Sequence, residues 1–196
     1  MLKTLPANAT LIPKNAKQVF EGIIFDVYQW QQEMFDGSHK TFEMLQRPDT
    51  VQVIAVHDHK VLGLEEQQPG RPMYFRMPAG RVDEGEDWLT AAKRELLEET
   101  GLNFASWRLI LVRQPIVKIE WFVATFIAMD QISKQAQSLD AGEQSNVLWF
   151  SLDKLKQRID HEQSPLIEYL RPLIDPCRTI DELTAIAEFH GQEVDR

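Results

Sequence analysis

The interpretation of this chain depends on one stretch, Gly80-Arg-Val-Asp-Glu-Gly-Glu-Asp-Trp-Leu-Thr-Ala-Ala-Lys-Arg-Glu-Leu-Leu-Glu-Glu-Thr-Gly-Leu102. If the stretch is helical, Glu95, Glu98 and Glu99 stand at positions i, i+3 and i+4 and share one face. The face that we expect to anchor the helix to a core carries Leu89, Ala92 and Leu96. The sequence therefore predicts an amphipathic helix with a carboxylate cluster on one side.

The predicted helix runs from about Asp87 to Thr100, and Gly101 is a typical residue just past a helix C-terminus. Clustered carboxylates repel each other, which destabilises a helix unless a cation lies among them or water screens them. Glutamates on one helical face most often form a solvated surface. If they bind a cation instead, oxygen ligands with no His or Cys nearby favour Mg²⁺ or Mn²⁺ over zinc.

The spacing of the stretch decides between these alternatives, because it resembles the Nudix box. That pattern is Gly, five residues, Glu, seven residues, Arg-Glu, an aliphatic residue, any residue, Glu-Glu, any residue, Gly and an aliphatic residue. Every required position is matched here, by Gly80, Glu86, Arg94, Glu95, Leu96, Glu98, Glu99, Gly101 and Leu102. The chain therefore resembles the Nudix hydrolases.

This resemblance implies both a fold and a metal site. The expected fold class is α+β, or α/β in its layering: a mixed β-sheet sandwiched between helices, with an N-terminal β-strand arm. The expected cofactor is Mg²⁺ or Mn²⁺, bound by the carboxylates of Glu95, Glu98 and Glu99 and by the backbone carbonyl of Ala79. Arg94 is expected to orient these glutamates through charge-assisted hydrogen bonds.

The chemistry implied is hydrolysis of a nucleoside diphosphate linked to a further group. A metal that bridges two phosphates neutralises the charge developing on the leaving group, and it turns bound water into a nucleophile near neutral pH. Gly80 is expected to permit a close approach of the backbone to the metal. Glu86 is equally consistent with a structural role near the start of the helix and with a direct metal role.

The catalytic base is expected on the loop before the last core strand, where residues 138–147 lie. Glu143 is the best candidate there and Asp140 the second. A carboxylate on this loop could activate water if loop closure brings it near the metal. The alternative is that it is a solvated loop charge, in which case Glu95 or Glu98 would serve as the base.

Hydrophobic patterning outside the box predicts further strands and helices. Two aromatic-rich runs between residues 18 and 50 flank Asp36-Gly37, which predicts a two-strand arm. A second strand pair is expected at residues 51–56 and 61–65, joined by a turn at 57–60. The remaining expectations are strands at 107–112 and 116–128, a polar loop at 130–145, a last strand at 147–152 that runs into a helix near 152–159, and further helices in the tail.

We expect three parts: an arm for dimerisation at residues 1–45, a Nudix hydrolase domain at 46–160 and a C-terminal helical extension at 161–196. Over residues 18–155 the order of segments is similar to the ADP-ribose pyrophosphatase group. In that group the arm commonly swaps across a two-fold axis and contributes to the partner's active site, so the resemblance implies a homodimer. The alternative is that the arm packs on its own domain.

Arg47, Arg76 and Arg81 are the predicted substrate-binding residues. Two departures from the group bear on this prediction. Gln68-Pro69 stand where the group often has Tyr-Arg, and Arg76 stands where it often has an acid. Arg76 is therefore either a phosphate clamp or a surface charge. Trp121 is expected to pack in the core, although an aromatic near the cleft could instead stack on a base.

Composition narrows the class of protein. The 196 residues suit one domain with extensions, and 43% hydrophobic with 26% charged residues is ordinary for a globular protein. A net charge of −9 opposes binding to a nucleic-acid polymer. The single cysteine, Cys177, excludes an internal disulfide and favours a reducing compartment. The longest apolar run, residues 121–129, is too short to span a membrane, and the N-terminus does not resemble a signal peptide; we expect a cytoplasmic protein.

The main hypothesis is a Mg²⁺-dependent pyrophosphohydrolase that cleaves ADP-ribose or a nucleotide sugar. One alternative is hydrolysis of a dinucleoside polyphosphate or a nucleoside triphosphate. Another is a non-catalytic domain that senses a nucleotide without cleaving it. The complete set of box carboxylates argues against the sensor, because a binding module has little reason to keep the full metal cluster.

Overall fold

The computed structural model describes residues 2–70, 72–139, 144–162 and 165–195. The elements of this part of the chain, in order, are β1 (Leu2–Leu5), β2 (Lys17–Phe20), β3 (Asp26–Glu33), β4 (His39–Gln46), β5 (Thr50–His57), β6 (Lys60–Gln67), β7 (Tyr74–Arg76), β8 (Ala79–Arg81), α1 (Trp88–Thr100), β9 (Leu102–Arg113), β10 (Ile119–Glu120), β11 (Val123–Lys134), β12 (Gln144–Phe150), α2 (Leu152–Asp160), α3 (Pro165–Glu168), α4 (Arg171–Ile174), α5 (Ile180–Thr184) and β13 (Gln192–Asp195).

A mixed sheet forms the centre of the molecule. Its strand order is β12-β6-β5-β11-β9, with β7 added to β6 and β8 to β5. Strand β5 is parallel to β11 and antiparallel to β8. Its side chains alternate between two cores: Val51 and Val53 pack in the cluster that contains α1, whereas Ile54 and Val56 pack in the cluster that contains α2 to α5. The predicted α+β class, with a mixed sheet between helices, is confirmed.

The N-terminal arm is a separate four-stranded sheet with the order β10-β4-β3-β2. The hairpin predicted from Asp36-Gly37 is confirmed: β3 and β4 are antiparallel, and Met34 N donates to the Ser38 carbonyl at 2.7 Å. Gly37 has φ +78°, a conformation that glycine adopts without strain. The arm also includes β2 and β10, which the sequence did not predict.

The hairpin of β5 and β6 is also confirmed. Its turn residues Asp58 and His59 have φ of 47° and 55°. Two successive residues with positive φ are typical of the tight turns whose twist matches that of the flanking strands. Asp and His are among the non-glycine residues that tolerate this region best.

The strand predicted over residues 116–128 is wrong in its first half. Ile119–Glu120 forms β10 and pairs with β4 of the arm, whereas β11 of the central sheet begins only at Val123. Between them, Phe122 N donates to Asp49 Oδ1 at 2.9 Å. One continuous apolar run therefore contributes strands to two sheets, because the Asp49 side chain takes the place of a backbone partner at Phe122. The predicted polar loop is also shorter than expected, since β11 continues to Lys134 and β12 begins at Gln144.

The sequence predicts a helical C-terminal segment over residues 161–196. Where the structure describes it, the segment contains three short helices followed by a strand. That strand, β13, pairs with β1 in an antiparallel two-stranded sheet. The first residues of the chain therefore lie beside its last ones rather than in the arm's sheet. Among the residues that the structure describes, no helix has the length and apolar character needed to cross a membrane.

Helix α1 begins and ends where the sequence predicts. Asp87 caps its N-terminus by accepting a hydrogen bond from Thr90 N at 2.9 Å, and Gly101 ends it with φ +70°. Trp88, and not the predicted Leu89, joins the core, because the buried face runs through Trp88, Ala91, Ala92, Leu96 and Glu99.

Replacing Asp87 with Ala is expected to lower the free energy of unfolding by about 1 kcal/mol at pH 7, because the N-terminus of α1 loses its cap. Hydrogen bonds from Thr90 hold the pKa of Asp87 below its usual 3.8. A lowered pKa stabilises the fold above pH 3.8, and this contribution is lost as the pH falls through the folded-state value. The difference between the two proteins should therefore shrink in urea unfolding curves recorded from pH 7 to pH 3. Asp87→Asn, which still caps, is the control; an equal loss in both variants at pH 7 would contradict the capping role.

Candidate active site

A cleft of about 1040 Å³ lies between α1, the strands β6 to β8 and the arm. Its wall carries both signs of charge. The acidic members are Glu66, Asp83, Glu95, Glu98 and Glu99, and the basic members are Arg47, Arg76, Arg81 and Arg94. The predicted metal-binding and substrate-binding residues therefore line one cavity.

Arg94 lies at the centre of one carboxylate cluster. Its Nη1 donates to Glu95 Oε1 at 2.8 Å and to Glu98 Oε2 at 3.2 Å. Its Nη2 donates to Glu86 Oε2 and to the Arg81 carbonyl, each at 2.8 Å. These contacts raise the pKa of Arg94, with the hydrogen bond to Glu86 contributing most. Arg94 therefore fixes the carboxylates around it, which is the arrangement that an orienting arginine requires.

The sequence predicts for Glu86 either a structural role near the start of α1 or a direct role in metal binding. The geometry of Glu86 favours the structural role. Both of its carboxylate oxygens accept from Arg94, at 3.1 and 2.8 Å, and Oε2 also accepts from Asp83 N at 3.2 Å. The hydrogen bond from Arg94 lowers the pKa of Glu86, so this carboxyl stays ionised. It ties the loop before α1 to the helix.

Gly80 brings β8 against the helix. A Cβ built on Gly80 would lie 1.9 Å from Glu95 Cδ, so any larger residue would displace this glutamate. Glu95 is held in a mostly buried position, and burial raises the pKa of its carboxyl against the lowering effect of Arg94. Glycine is required here because a carboxylate of the box approaches the backbone closely, whereas the predicted approach of this backbone to a metal stays a prediction.

Arg76 makes a second charge cluster, which the sequence did not predict. Its Nη2 donates to Glu99 Oε1 at 2.6 Å, and its Nη1 donates to the Ala79 carbonyl at 3.1 Å. On the other side it forms an ion pair with Glu66. Only 12% of the Arg76 side chain is exposed, so it is not a surface charge. Burial raises the pKa of Glu99 to about 7, although Arg76 acts in the opposite direction.

Arg47 and Arg81 form the basic side of the cleft. The Arg47 guanidinium lies 4.6 Å from the ring centroid of Trp121 and 5.7 Å from that of Phe25. Its Nε is buried, and the part of the chain that the structure describes offers it no hydrogen-bond partner. Burial lowers the pKa of Arg47, and the charge of Arg81 lowers it further. Two guanidiniums that repel each other at a cavity wall would be stabilised by an anion between them.

Residues 46–170 match the family described as the NUDIX domain. This chain is a member of that family. The resemblance predicted from the spacing of the box glutamates is thereby confirmed.

Three known proteins show how the similarity is distributed over this Nudix chain. A methanol dehydrogenase activator from Bacillus methanolicus is 27% identical over 152 residues, which cover 75% of this chain and 82% of that protein. An ADP-ribose pyrophosphatase from Bacillus subtilis is 33% identical over 87 residues, covering 43% of this chain and 47% of that protein. The crystal structure of an ADP compounds hydrolase superposes with a TM-score of 0.62 over 89% of this chain and 97% of that one; at 19% identity it shows the shared fold.

The Nudix box supplies hard oxygen donors, which suit a divalent cation of the Mg²⁺ class. Among the residues that the structure describes, however, no three His, Cys, Asp or Glu side chains converge as the ligands of one ion. Arg94 separates Glu95 and Glu98 from Glu86, and Arg76 takes the Oε1 side of Glu99. The donor set therefore fits a cation at Glu95 and Glu98, whereas the corner at Glu99 is filled by a guanidinium.

Glu143 and Asp140, the candidate bases, lie outside the described residues. The chain that leads to them is anchored to the end of α1: Ser138 N donates to the Glu98 carbonyl at 2.8 Å. Ser138 and Leu139 also line the cleft. No feature of the sequence around these two residues predicted this anchor.

The C-terminal segment also reaches the cleft of this Nudix hydrolase. Leu166 lines the cavity, and its carbonyl accepts a hydrogen bond from Gln52 Nε2 at 3.3 Å. Ile24 of the arm lines it from another side. The contact between Gln52 and Leu166 joins residues 114 positions apart. A short motif carries no information on such a contact, so the sequence could not predict it.

Proposed function

We propose that this Nudix hydrolase cleaves the pyrophosphate linkage of ADP-ribose or of a nucleotide sugar, with Mg²⁺ or Mn²⁺ and an activated water. The observation that carries the proposal is that one cleft is lined both by the carboxylates of α1, its acidic wall, and by Arg47 and Arg81, its basic wall. The first suits a cation and the second suits phosphate oxygens. A substrate with two linked phosphates has the charge to engage both.

The acidic wall supplies the catalytic groups in this proposal. Glu95 and Glu98 would be the principal ligands of the cation, and Glu99 with the Ala79 carbonyl would complete the set only as far as their hydrogen bonds from Arg76 leave them available. The cation, when bound, neutralises phosphate charge and acidifies water. Arg94 keeps Glu95 and Glu98 turned toward the cleft through its hydrogen bonds. Because these groups are already oriented, little reorganisation is needed when charge develops in the transition state.

The catalytic base is proposed to be Glu143, with Glu98 or Glu95 as the alternative. Support for Glu143 comes from its neighbours in the chain, since Ser138 and Leu139 line the cleft. Support for Glu98 comes from its position, because 43% of its side chain is exposed at the carboxylate wall. A base must reach the water whose proton it accepts, and the place of Glu98 on the cleft wall is compatible with this requirement.

The substrate class is proposed from the basic wall and from the relatives. The Arg47 guanidinium lies against the ring of Trp121, and this contact fixes a positive charge on the cleft wall that can attract phosphate oxygens. A cavity of about 1040 Å³ has room for a nucleotide joined to a sugar. An ADP-ribose pyrophosphatase and an ADP compounds hydrolase are among the similar proteins. Together these support ADP-ribose or a nucleotide sugar over a nucleoside triphosphate.

A substrate panel tests the proposed reaction. With Mg²⁺ and a coupled phosphatase, ADP-ribose or a nucleotide sugar should release phosphate, and Glu98→Gln should reduce turnover by about a hundredfold or more, because a carboxylate of the cation wall is lost. Glu84→Gln is the matched control. It makes the same chemical change at an exposed position of the preceding loop and should retain the rate within about twofold.

Other results of the panel would contradict the substrate proposal. Cleavage of dinucleoside polyphosphates or nucleoside triphosphates, but not of ADP-ribose or nucleotide sugars, would establish the alternative substrate class. Nucleotide binding without cleavage of any compound would favour the nucleotide-sensing alternative.

Arg47→Gln tests the basic wall. The KM for the cleaved substrate should rise by about tenfold, the effect of one charge-assisted hydrogen bond, while kcat changes less. Arg47→Lys should recover part of the loss because it keeps the charge. Arg178→Gln, which removes an exposed arginine outside the cleft, is the control and should leave KM unchanged. An unaltered KM in Arg47→Gln would refute phosphate binding by this residue.

The protein is also proposed to be a homodimer that associates through the arm. Large apolar side chains are exposed there, with relative accessibilities of 98% at Ile23, 112% at Phe35 and 59% at Phe20. Exposed apolar surface of this kind marks interaction sites, and closed two-fold dimers are the commonest oligomers. Ile24, which lines the cleft, places the arm at its edge.

Light scattering coupled to gel filtration tests the dimer. The wild-type chain should elute at twice its chain mass, and Ile23→Asp should shift the population toward the monomer, because a charge cannot be buried in an apolar interface without a large cost. Ile132→Asp is the matched control, since Ile132 is an exposed apolar residue of β11 outside the arm. A monomeric wild-type protein, or equal effects of the two substitutions, would contradict association through the arm.

A further inference from the structure

The proposed reaction gives no role to the buried guanidinium of Arg76, which lines the cleft beside the acidic wall. It lies between two carboxylates, those of Glu66 and Glu99, and against the Ala79 carbonyl. All the hydrogen bonds that the structure gives to this side chain end on protein oxygens, and Met77 supplies the remaining acceptor. Arg76 is therefore built into the wall rather than displayed toward a ligand.

Glu66 needs this positive charge. Its side chain is 1% exposed, and its Oε1 accepts hydrogen bonds from Gln68 Nε2 at 2.8 Å and from the Tyr74 hydroxyl. Its Oε2 is bound by Arg76. A carboxylate buried this deeply is strongly destabilising when its charged partner is removed.

The acceptors of Arg76 overlap with the proposed cation ligands. Glu99 and the Ala79 carbonyl belong to the ligand set of the proposed function, yet both accept hydrogen bonds from Arg76. Arginine stays charged at every physiological pH, and a guanidinium and a divalent cation repel each other. The oxygens of Glu99 and Ala79 can therefore bind the guanidinium or a divalent cation, but binding one weakens the binding of the other.

We propose that Arg76 acts as a built-in cation at the corner formed by Glu66, Glu99 and Ala79, so that the wild-type cleft binds one divalent ion fewer than its oxygen donors would otherwise hold. Glu95 and Glu98 remain the principal ligands for an added cation. The inference rests on the proposed cation site and extends it. Arg76 is a positioning residue here: it fixes Glu99 and the backbone of β8 without touching the substrate.

Manganese binding tests this role directly. Mn²⁺ is titrated into the full-length chain, and the free ion is measured by electron paramagnetic resonance. Arg76→Gln is expected to bind one more Mn²⁺ per chain than the wild type, because Glu66 and Glu99 are left buried without their positive partner. Saturating Mn²⁺ should also raise the melting temperature of Arg76→Gln more than that of the wild type.

Arg171→Gln is the matched control. Arg171 also pairs with two carboxylates, those of Asp160 and Glu168, but lies outside the cleft. Its replacement makes the same change in charge and should leave the number of bound Mn²⁺ ions unchanged. A gain in this variant would mean that net charge alone sets the binding, and it would overturn the proposal.

Two further variants separate charge from folding. Glu66→Gln combined with Arg76→Gln keeps the net charge and leaves no buried Glu66 charge, so it should fold even if the single variant does not, and it should still gain an ion at Glu99. Arg76→Lys keeps the positive charge and should bind no more Mn²⁺ than the wild type. A gain in Arg76→Lys equal to that in Arg76→Gln would overturn the proposal.

The same titration distinguishes this inference from the proposed function. One outcome is that the wild type, Arg76→Gln and the double variant Glu66→Gln with Arg76→Gln all bind the same number of Mn²⁺ ions. In that case Arg76 does not exclude a cation, and the inference fails while the proposed metal dependence stands. If none of the proteins binds Mn²⁺, the proposed cation site fails and the inference fails with it.

Discussion

The carboxylates at one end of α1 are crowded and partly buried, so they require positive charge beside them. The arrangement of the other charged residues in the cleft depends on this requirement. Two like charges 4 Å apart repel by about 4 kcal/mol near a protein surface. Arg94 compensates the cluster of Glu86, Glu95 and Glu98, and Arg76 compensates Glu99 together with Glu66. Each guanidinium is shared between carboxylates, so the positions of the acids are coupled to each other.

The central sheet makes this arrangement rigid. Strand β5, buried on both faces, pairs with β8, where Gln52 lies opposite Ala79 and Val51 opposite Gly80. Gly80 in turn allows Glu95 to approach β8 closely. A site built on a strand and a helix is held more precisely than one built on loops. The acids of α1 and the carbonyl of Ala79 are thus positioned by the same sheet that forms the core.

The local features of the fold were readable from the sequence because they depend on short spacings. Helix α1 has its cap at Asp87 and its end at Gly101, and the arm has its turn at Asp36-Gly37. The strand predicted at residues 116–128 failed for the opposite reason. Asp49, far away in sequence, binds Phe122 N and diverts the chain between two sheets. Hydrophobicity reports that such a run is buried, but it does not report which sheet it joins.

The candidate site shows the same limit. The box spacing was sufficient to predict the carboxylate cluster around Arg94, since its members lie within about three helical turns of one another. The role of Arg76 was not predictable, because its partners Glu66 and Glu99 come from a strand and a helix on either side of it. A lone arginine in a sequence is read as a surface charge, and only tertiary packing reveals that it is buried between two acids. The contribution of Leu166 depends in the same way on long-range packing.

In the proposed reaction, the charge distribution of the whole chain would make the cation and the nucleotide mutually dependent ligands. A net charge of −9 repels an anionic nucleotide at long range, although salt screens this beyond about 10 Å. Within the cleft Arg76 and Arg94 are engaged by carboxylates, and Arg81 forms a looser ion pair with Asp83 at 3.5 Å, so Arg47 and Arg81 are the cations best placed to attract phosphate oxygens. Phosphates bound there would share one cleft with the carboxylates of α1, which repel them. A cation between them relieves the repulsion between phosphates and carboxylates, and the phosphates supply the cation with further ligands. For this reason the affinity for either ligand should depend on the presence of the other.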